Sequence, residues 1–313
     1  MTTTLFVPAS PDTARIARRF AQALPTLGHT VQVAELPGRF PDPDQAAIYA
    51  ARSAWSTLPP DAPRLIAGDV LAAFDGLPPH HVTALIQRPP EADASLLRDL
   101  PHVVVPSEIM QTRLAHEFGV PADRIAIIPP GIDPLPRSAG SNSSTCHILT
   151  VGALVPRKGQ DVLLRALGQL FDLDWILTIA GAPQDPAYAD SLHRLARDLR
   201  IDSRLRFVSA PPWDQADMFA LASHDEGYGI AIAEAMRRGL PVAVTSVGAV
   251  PMLVGPEAGI VCAPNDVEQL SKAMRRLIFD HELRRDMAEV AWQAGQLLPS
   301  WTDQARRLAE LIA

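Results

Sequence analysis

The feature that most constrains this chain is an alternation of short apolar runs with amphipathic ones, which breaks once at a polar stretch and then restarts. In the first half the strand-like runs are residues 5–7, 30–34, 64–67, 82–86, 102–105 and 125–128. Between the first two, residues 13–27 carry Ile16, Phe20, Leu24 and Leu27 at helical spacing, and Gly28 stops them. In the second half, strands are expected over 148–152, 175–180, 204–208, 218–223, 241–245 and 259–262. Helices are expected over 161–170, 187–199, 229–238 and 267–279. Strand–helix alternation builds a parallel sheet covered by helices. Here it occurs twice, so the expected fold class is α/β, with two Rossmann-like doubly wound domains.

The break is Pro136-Arg137-Ser138-Ala139-Gly140-Ser141-Asn142-Ser143-Ser144-Thr145, a polar stretch with little to pack and so read as flexible. The expected organisation is a first domain over 1–137, a linker over 138–145, a second domain over 146–298 and a C-terminal helical segment over 299–313. In that last segment Trp301, Thr302 and Asp303 read as the cap of a helix over 304–312.

Composition sets the outer limits. At 313 residues the chain exceeds the ~250 at which one core usually splits. Its 47% apolar and 20% charged residues imply a packed interior rather than disorder. A net charge of −7 without a basic run argues against a nucleic-acid partner. No run approaches the ~20 apolar residues of a membrane span. Residues 1–7 do not read as a signal peptide, so the cytoplasm is the expected compartment. Cys146 and Cys262 offer neither a disulfide framework nor metal-ligand spacing, and are expected to pack as small hydrophobes. The 30 prolines, about double the usual ~5% share, punctuate the short elements.

Two segments carry chemistry. The first is Ser223-His224-Asp225-Glu226-Gly227-Tyr228-Gly229-Ile230-Ala231-Ile232-Ala233-Glu234-Ala235-Met236. Gly227 and Gly229 permit a sharp turn directly before an apolar helix. The free N–H groups at that helix start form an anion site, reinforced by the helix dipole. Glu226 and Glu234 are eight residues apart, at most about 12 Å at helical rise. That span suits one carboxylate on a sugar and the other on a ribose, with a diphosphate between them. Ile230, Ile232, Ala233, Ala235 and Met236 surround Glu234, which implies a buried carboxylate in need of a partner. The second segment is Val151-Gly152-Ala153-Leu154-Val155-Pro156-Arg157-Lys158-Gly159-Gln160-Asp161. A buried strand ends at Gly152, where ligands of open α/β sheets gather, and two cations follow on the loop. Arg157 and Lys158 suit a diphosphate there.

In this order the two segments resemble the C-terminal half of the family 4 retaining glycosyltransferases, which have the two-domain GT-B fold. The resemblance lies in the Glu226–Glu234 element, the Lys158-Gly159 pair, and Gly239-Leu240-Pro241-Val242-Ala243-Val244-Thr245. It covers about residues 146–300 well. The first half matches more thinly, through Gly28-His29-Thr30-Val31 and Ile128-Pro129-Pro130-Gly131-Ile132-Asp133. It implies a hexosyltransferase that takes a nucleotide-diphosphate sugar as donor, retains the anomeric configuration and needs neither a metal nor a cofactor. Glu226 would hold hydroxyls of the donor sugar, and the backbone of Gly227, Tyr228, Gly229 and Ile230 would support sugar and phosphate. Lys158 and Arg157 would neutralise the leaving diphosphate, and Glu234 would take the ribose. Gly152 and Ser209 complete the donor-binding candidates. The acceptor (saccharide, lipid or small molecule) is left open. In this fold the final helix commonly crosses back to the first domain.

Several positions depart from the family pattern. The loop Pro8-Ala9-Ser10-Pro11-Asp12-Thr13-Ala14 has no glycine where a Gly-Gly pair is usual. Gln87-Arg88-Pro89-Pro90 stands where a histidine is usual, and His80 and His81 lie too early to replace it, reading instead as an exposed turn. Ala153 follows Gly152 where an arginine is frequent, so Arg157 is the compensating cation. Met252 follows Pro251 where glutamate is common. Residues 208–218 leave little room for a helix, and Trp213 within them reads as loop packing. These departures sustain an alternative, a catalytically impaired glycosyltransferase-like protein that binds a nucleotide or a partner. An epimerase of the same fold ranks lower, because no histidine- and carboxylate-rich cleft can be assembled.

Overall fold

The computed structural model describes residues 2–10, 14–90 and 95–312. Of the glycine-free loop 8–14, residues 11–13 lie outside the described residues. The chain divides into two compact units, Met1–Asp133 with Pro299–Ala313, and Pro134–Leu298.

Along the first unit run β1 (Thr2–Pro8), α1 (Arg15–Ala23), β2 (Thr30–Leu36), α2 (Gln45–Ser56), β3 (Arg64–Ala67), β4 (Val82–Leu85), α3 (Ser95–Asp99), β5 (His102–Val105), α4 (Glu108–Phe118) and β6 (Ile125–Ile127). The six strands are parallel, in the order β2-β1-β3-β4-β5-β6. Strands β3 and β4 are buried throughout, as expected of a sheet covered on both faces, whereas the edge strand β2 is largely exposed. Helices α2 and α4 were not legible in the sequence. Each is started by a side chain that accepts a backbone N–H: Asp44 from Ala47 and Ser107 from Met110.

The second unit runs β7 (Cys146–Val151), α5 (Gln160–Gly168), β8 (Trp175–Ala180), α6 (Pro186–Asp198), β9 (Leu205–Val208), β10 (Met218–Leu221), α7 (Ile230–Arg237), β11 (Val242–Thr245), α8 (Val250–Val254), β12 (Gly259–Cys262), α9 (Val267–Phe279) and α10 (His281–Gln296). Its parallel order is β12-β11-β10-β7-β8-β9. The winding direction reverses between β7 and β10, the switch point at whose carboxyl ends ligands of open α/β sheets gather. As its length implied, the connection from β9 to β10 holds only a short 3-10 turn, Trp213–Gln215. Trp213 stacks on Phe219 with ring centroids 5.8 Å apart, so it packs its own loop. Cys146 and Cys262 are buried and free, and burial pushes their thiols up to about 12 and about 11.

The last helix, α11 (Trp301–Ile312), belongs to the first unit. Trp301 is its first residue rather than part of a cap. It is 8% exposed and meets Phe20 edge-on at 5.4 Å. The cap is Ser300, whose Oγ accepts the Asp303 N–H at 3.1 Å. An indole at this point is worth more buried against Phe20 than left at the helix mouth.

The polar stretch read as a flexible linker is hydrogen-bonded onto the second unit. The Ser138 N–H donates to the Arg238 carbonyl at 2.9 Å, and the Ser138 hydroxyl donates to the Ala216 carbonyl at 2.8 Å. Asp217 accepts from the Ser141 N–H, the Ser141 hydroxyl and the His147 N–H at 2.7 to 2.9 Å. A run of serines is flexible only until a carboxylate offers their donors a common acceptor. No described helix is long and apolar enough to cross a membrane.

Candidate functional site

In the second unit, the carboxyl ends of β7, β10 and β11 carry one connected polar chain. The Thr245 hydroxyl donates to the Ser223 carbonyl at 2.6 Å, and the Ser223 hydroxyl donates to Glu226 Oε1 at 2.8 Å. Lys158 Nζ donates to the same Oε1 and forms an ion pair with it. Ser223, Thr245 and Glu226 are buried, and the Lys158 side chain is only 13% exposed. Two donors thus fix one carboxylate oxygen. Oε2 keeps no hydrogen bond to any described residue and reaches the surface. A buried carboxylate pinned on one side and open on the other is oriented to accept from an incoming hydroxyl.

Local sequence explains how these side chains arrive. Arg157 and Lys158 lie in a 3-10 turn, Pro156–Lys158, just beyond β7. The Gln160 side-chain amide closes that loop by donating to the Ala153 carbonyl at 2.9 Å. The Lys158 stem passes over Gly152, close enough that a methyl there would touch its Cε at 3.4 Å. The His224 N–H donates to the Arg157 carbonyl at 2.8 Å and ties the turn after β10 to the cationic loop. Gly229 caps α7 in the left-handed conformation, φ 91°. Of the two glycines expected to make the turn, Gly229 is the one that uses its freedom, since Gly227 has no positive φ.

Among the sequence-selected residues, Glu226, Lys158, Arg157, Gly152, Gly227, Tyr228 and Gly229 fall on these two adjoining loops, and Ile230 is the first residue of α7. Burial alone raises the Tyr228 phenol above its usual range. Glu234 differs from its expected setting. It is half-buried rather than buried, and its charge acts on Arg238, one turn further along. Burial lowers the Arg238 guanidinium, and the charges of Glu234 and Asp214 oppose that shift. The apolar neighbours of Glu234 face the core, and the helix turns its carboxylate away from them. Ser209 is exposed just past β9, the edge strand two places from β7. The residues missed in sequence are Ser223, Thr245, Gln160 and Gly248. A Cβ on Gly248 would lie 1.8 Å from the Glu226 carbonyl oxygen. His80 and His81 are exposed in a turn of the first unit, as expected.

In the first unit, Gln87 follows β4 where the family histidine was missing. Both polar atoms of its amide are buried and have no hydrogen-bond partner among the described residues. Beside it, Arg88 pairs with Asp69 at 3.2 Å.

Comparison with known proteins gives the family. Residues 132–293, just over half of the chain, match the family Glycosyl transferases group 1, and residues 77–134 match Glycosyltransferase Family 4. A D-inositol 3-phosphate glycosyltransferase of Corynebacterium glutamicum is 30% identical over 224 residues, covering 63% of this chain and 53% of that protein. The chain spans about half the length of the curated relatives it matches. Among solved structures, sucrose-phosphate synthase from Thermosynechococcus elongatus superposes with a TM-score of 0.82 at 17% identity, over 99% of this chain and 98% of that one. Anabaena HepE in complex with UDP and glucose gives 0.79 at 19% identity, over 100% and 99%. Sheet order, structural likeness and family match agree, and the chain belongs to the group 1, family 4 glycosyltransferases of GT-B fold.

Proposed function

We propose that this chain moves a hexose from a nucleotide-diphosphate sugar to a hydroxyl-bearing acceptor, with retention at the anomeric carbon and without a metal. The observation that carries the reading is the Lys158–Glu226 pair at the switch point, with Ser223 fixing Oε1 and Oε2 open. In this reading Glu226 Oε2 accepts from a hydroxyl of the donor sugar. Lys158 and Arg157, with the N–H groups that start α7 after Gly229, neutralise the diphosphate as it departs. Lys158 trades its bond to Glu226 for the phosphate, so the ligand-free pair is a holding position. The backbone of Gly227, Tyr228, Gly229 and Ile230 supports sugar and phosphate. Glu234 binds the ribose, and Gly152 and Ser209 border the donor. The chemistry is charge stabilisation and positioning, and no side chain of the site is assigned as a covalent nucleophile.

The test is nucleoside-diphosphate release from UDP-, GDP- and ADP-sugars, run with candidate acceptors. Inositol 3-phosphate comes first, because the Corynebacterium glutamicum relative is named for it. One donor is expected to turn over, with the product anomer matching the donor by proton NMR and no change in rate with EDTA. An inverted product or a rate abolished by EDTA overturns the retaining, metal-independent part.

A second reading, a nucleotide-binding protein without transferase activity, draws on one observation. Gln87 replaces the family histidine, and its amide is buried rather than offered to a ligand. Tight diphosphate binding without release from any donor selects that reading.

A further inference from the structure

We infer that His224 is a sugar-recognising residue of this site, its Nε2–H donating to a hydroxyl of the donor's hexose. The inference rests on the donor site proposed above, and three observations carry it.

The backbone of His224 is anchored. Its N–H donates to the Arg157 carbonyl at 2.8 Å, which sets the residue between the cationic loop and Glu226. The ring is half-buried, with Nδ1 enclosed by protein and without a hydrogen-bond partner among the described residues. Nε2 makes no hydrogen bond to a described residue, and it is the ring nitrogen that reaches the surface. Orphaned buried N–H groups are rarer than under-satisfied acceptors. Of the two tautomers, the one that leaves Nδ1 bare and carries the proton on Nε2 fits this hydrogen-bond pattern. The outcome is a donor presented to solvent two residues from an acceptor, Glu226 Oε2, that is also open.

An open donor and an open acceptor two residues apart on one turn suit a hydroxyl, which gives one hydrogen bond and takes another. A phosphate oxygen can only accept, and it has Lys158, Arg157 and the start of α7 to hold it. The pairing selects a sugar carrying a hydroxyl where both can reach it, so it makes His224 a specificity determinant rather than a general anchor.

The experiment is calorimetric titration of UDP, GDP and ADP, and of their glucose and mannose derivatives, into wild type, His224→Gln and His224→Asn. Glutamine carries an amide donor near the position of Nε2, and asparagine near that of Nδ1. The bare diphosphate should bind all three proteins alike. The sugar derivative should lose roughly three- to tenfold in His224→Asn, the worth of one neutral hydrogen bond, and stay within about threefold of wild type in His224→Gln. Equal binding of the sugar derivative by both variants, or equal losses for diphosphate and sugar derivative, overturns the role of His224 while leaving the donor site in place. Failure of every diphosphate to bind wild type removes the donor site, and this inference with it.

Discussion

Glu226→Gln is expected to bind nucleoside diphosphate as well as wild type and to lose about 100-fold in kcat/KM for the nucleotide sugar. Glutamine keeps the shape of the side chain and an oxygen for the Ser223 hydroxyl, which donates to Oε1 at 2.8 Å in the native protein. It removes the charge that accepts from the sugar. A hydrogen bond to a charged group is worth about 1.5–3 kcal/mol, or roughly 10- to 150-fold in the ratio of rate constants. Diphosphate binding should survive, because Lys158 no longer has to leave a carboxylate to reach the phosphate. Steady-state kinetics and diphosphate titration on the same preparation separate the two effects. Full turnover in this variant would mean that Glu226 does not touch the sugar.

The second large effect comes from a residue with no side chain to contribute. Gly248→Ala should melt several degrees lower and lose about two orders of magnitude in turnover. Gly248 follows β11 with φ +49°, in the left-handed region that costs a Cβ-bearing residue about 1–2 kcal/mol. Its added methyl would stand 1.8 Å from the Glu226 carbonyl oxygen and 3.3 Å from that of Gly227. The obstruction is backbone, so the turn bearing Glu226 has to move. A displacement of about 1 Å in a positioning element is enough for a 100-fold loss. Thermal melting and steady-state kinetics check both parts. A variant that melts lower with unchanged turnover would show that this turn tolerates displacement.

Much of the fold was legible because short buried runs end at punctuating residues. The limits of β3, β5, β8, β12 and α9 coincide with the sequence reading. Helix α10 was missed because it is largely polar over His281–Gln296, with only Ala291 and Gly295 fully buried. Helix α2 was missed because its alanine-rich run gives a weak period, and its Asp44 cap is the stronger signal.

The candidate site was legible only where its residues form one local pattern, the cationic loop before α5 and the glycine-flanked turn before α7. Contacts between the loops carry no such mark. Lys158 and Glu226 are 68 residues apart, and Ser223 and Thr245 are 22 apart. The crowding of Gly248 against Glu226 is set by the sheet order that brings β11 beside β10. The setting of Glu234 was misjudged for a related reason. Apolar neighbours in sequence place a helix against a core, but they do not fix the direction of a single carboxylate on it, and Glu234 is half-buried.

The most direct test of the donor site is titration of UDP, GDP and ADP into wild type and Lys158→Ala, with circular dichroism confirming that both are folded. One diphosphate should bind wild type and weaken at least tenfold in Lys158→Ala, the loss of a charged hydrogen bond to phosphate. Lys158→Arg should recover part of that binding. Equal affinity in wild type and Lys158→Ala, or no diphosphate binding to wild type, would contradict a donor site at the switch point of the second unit.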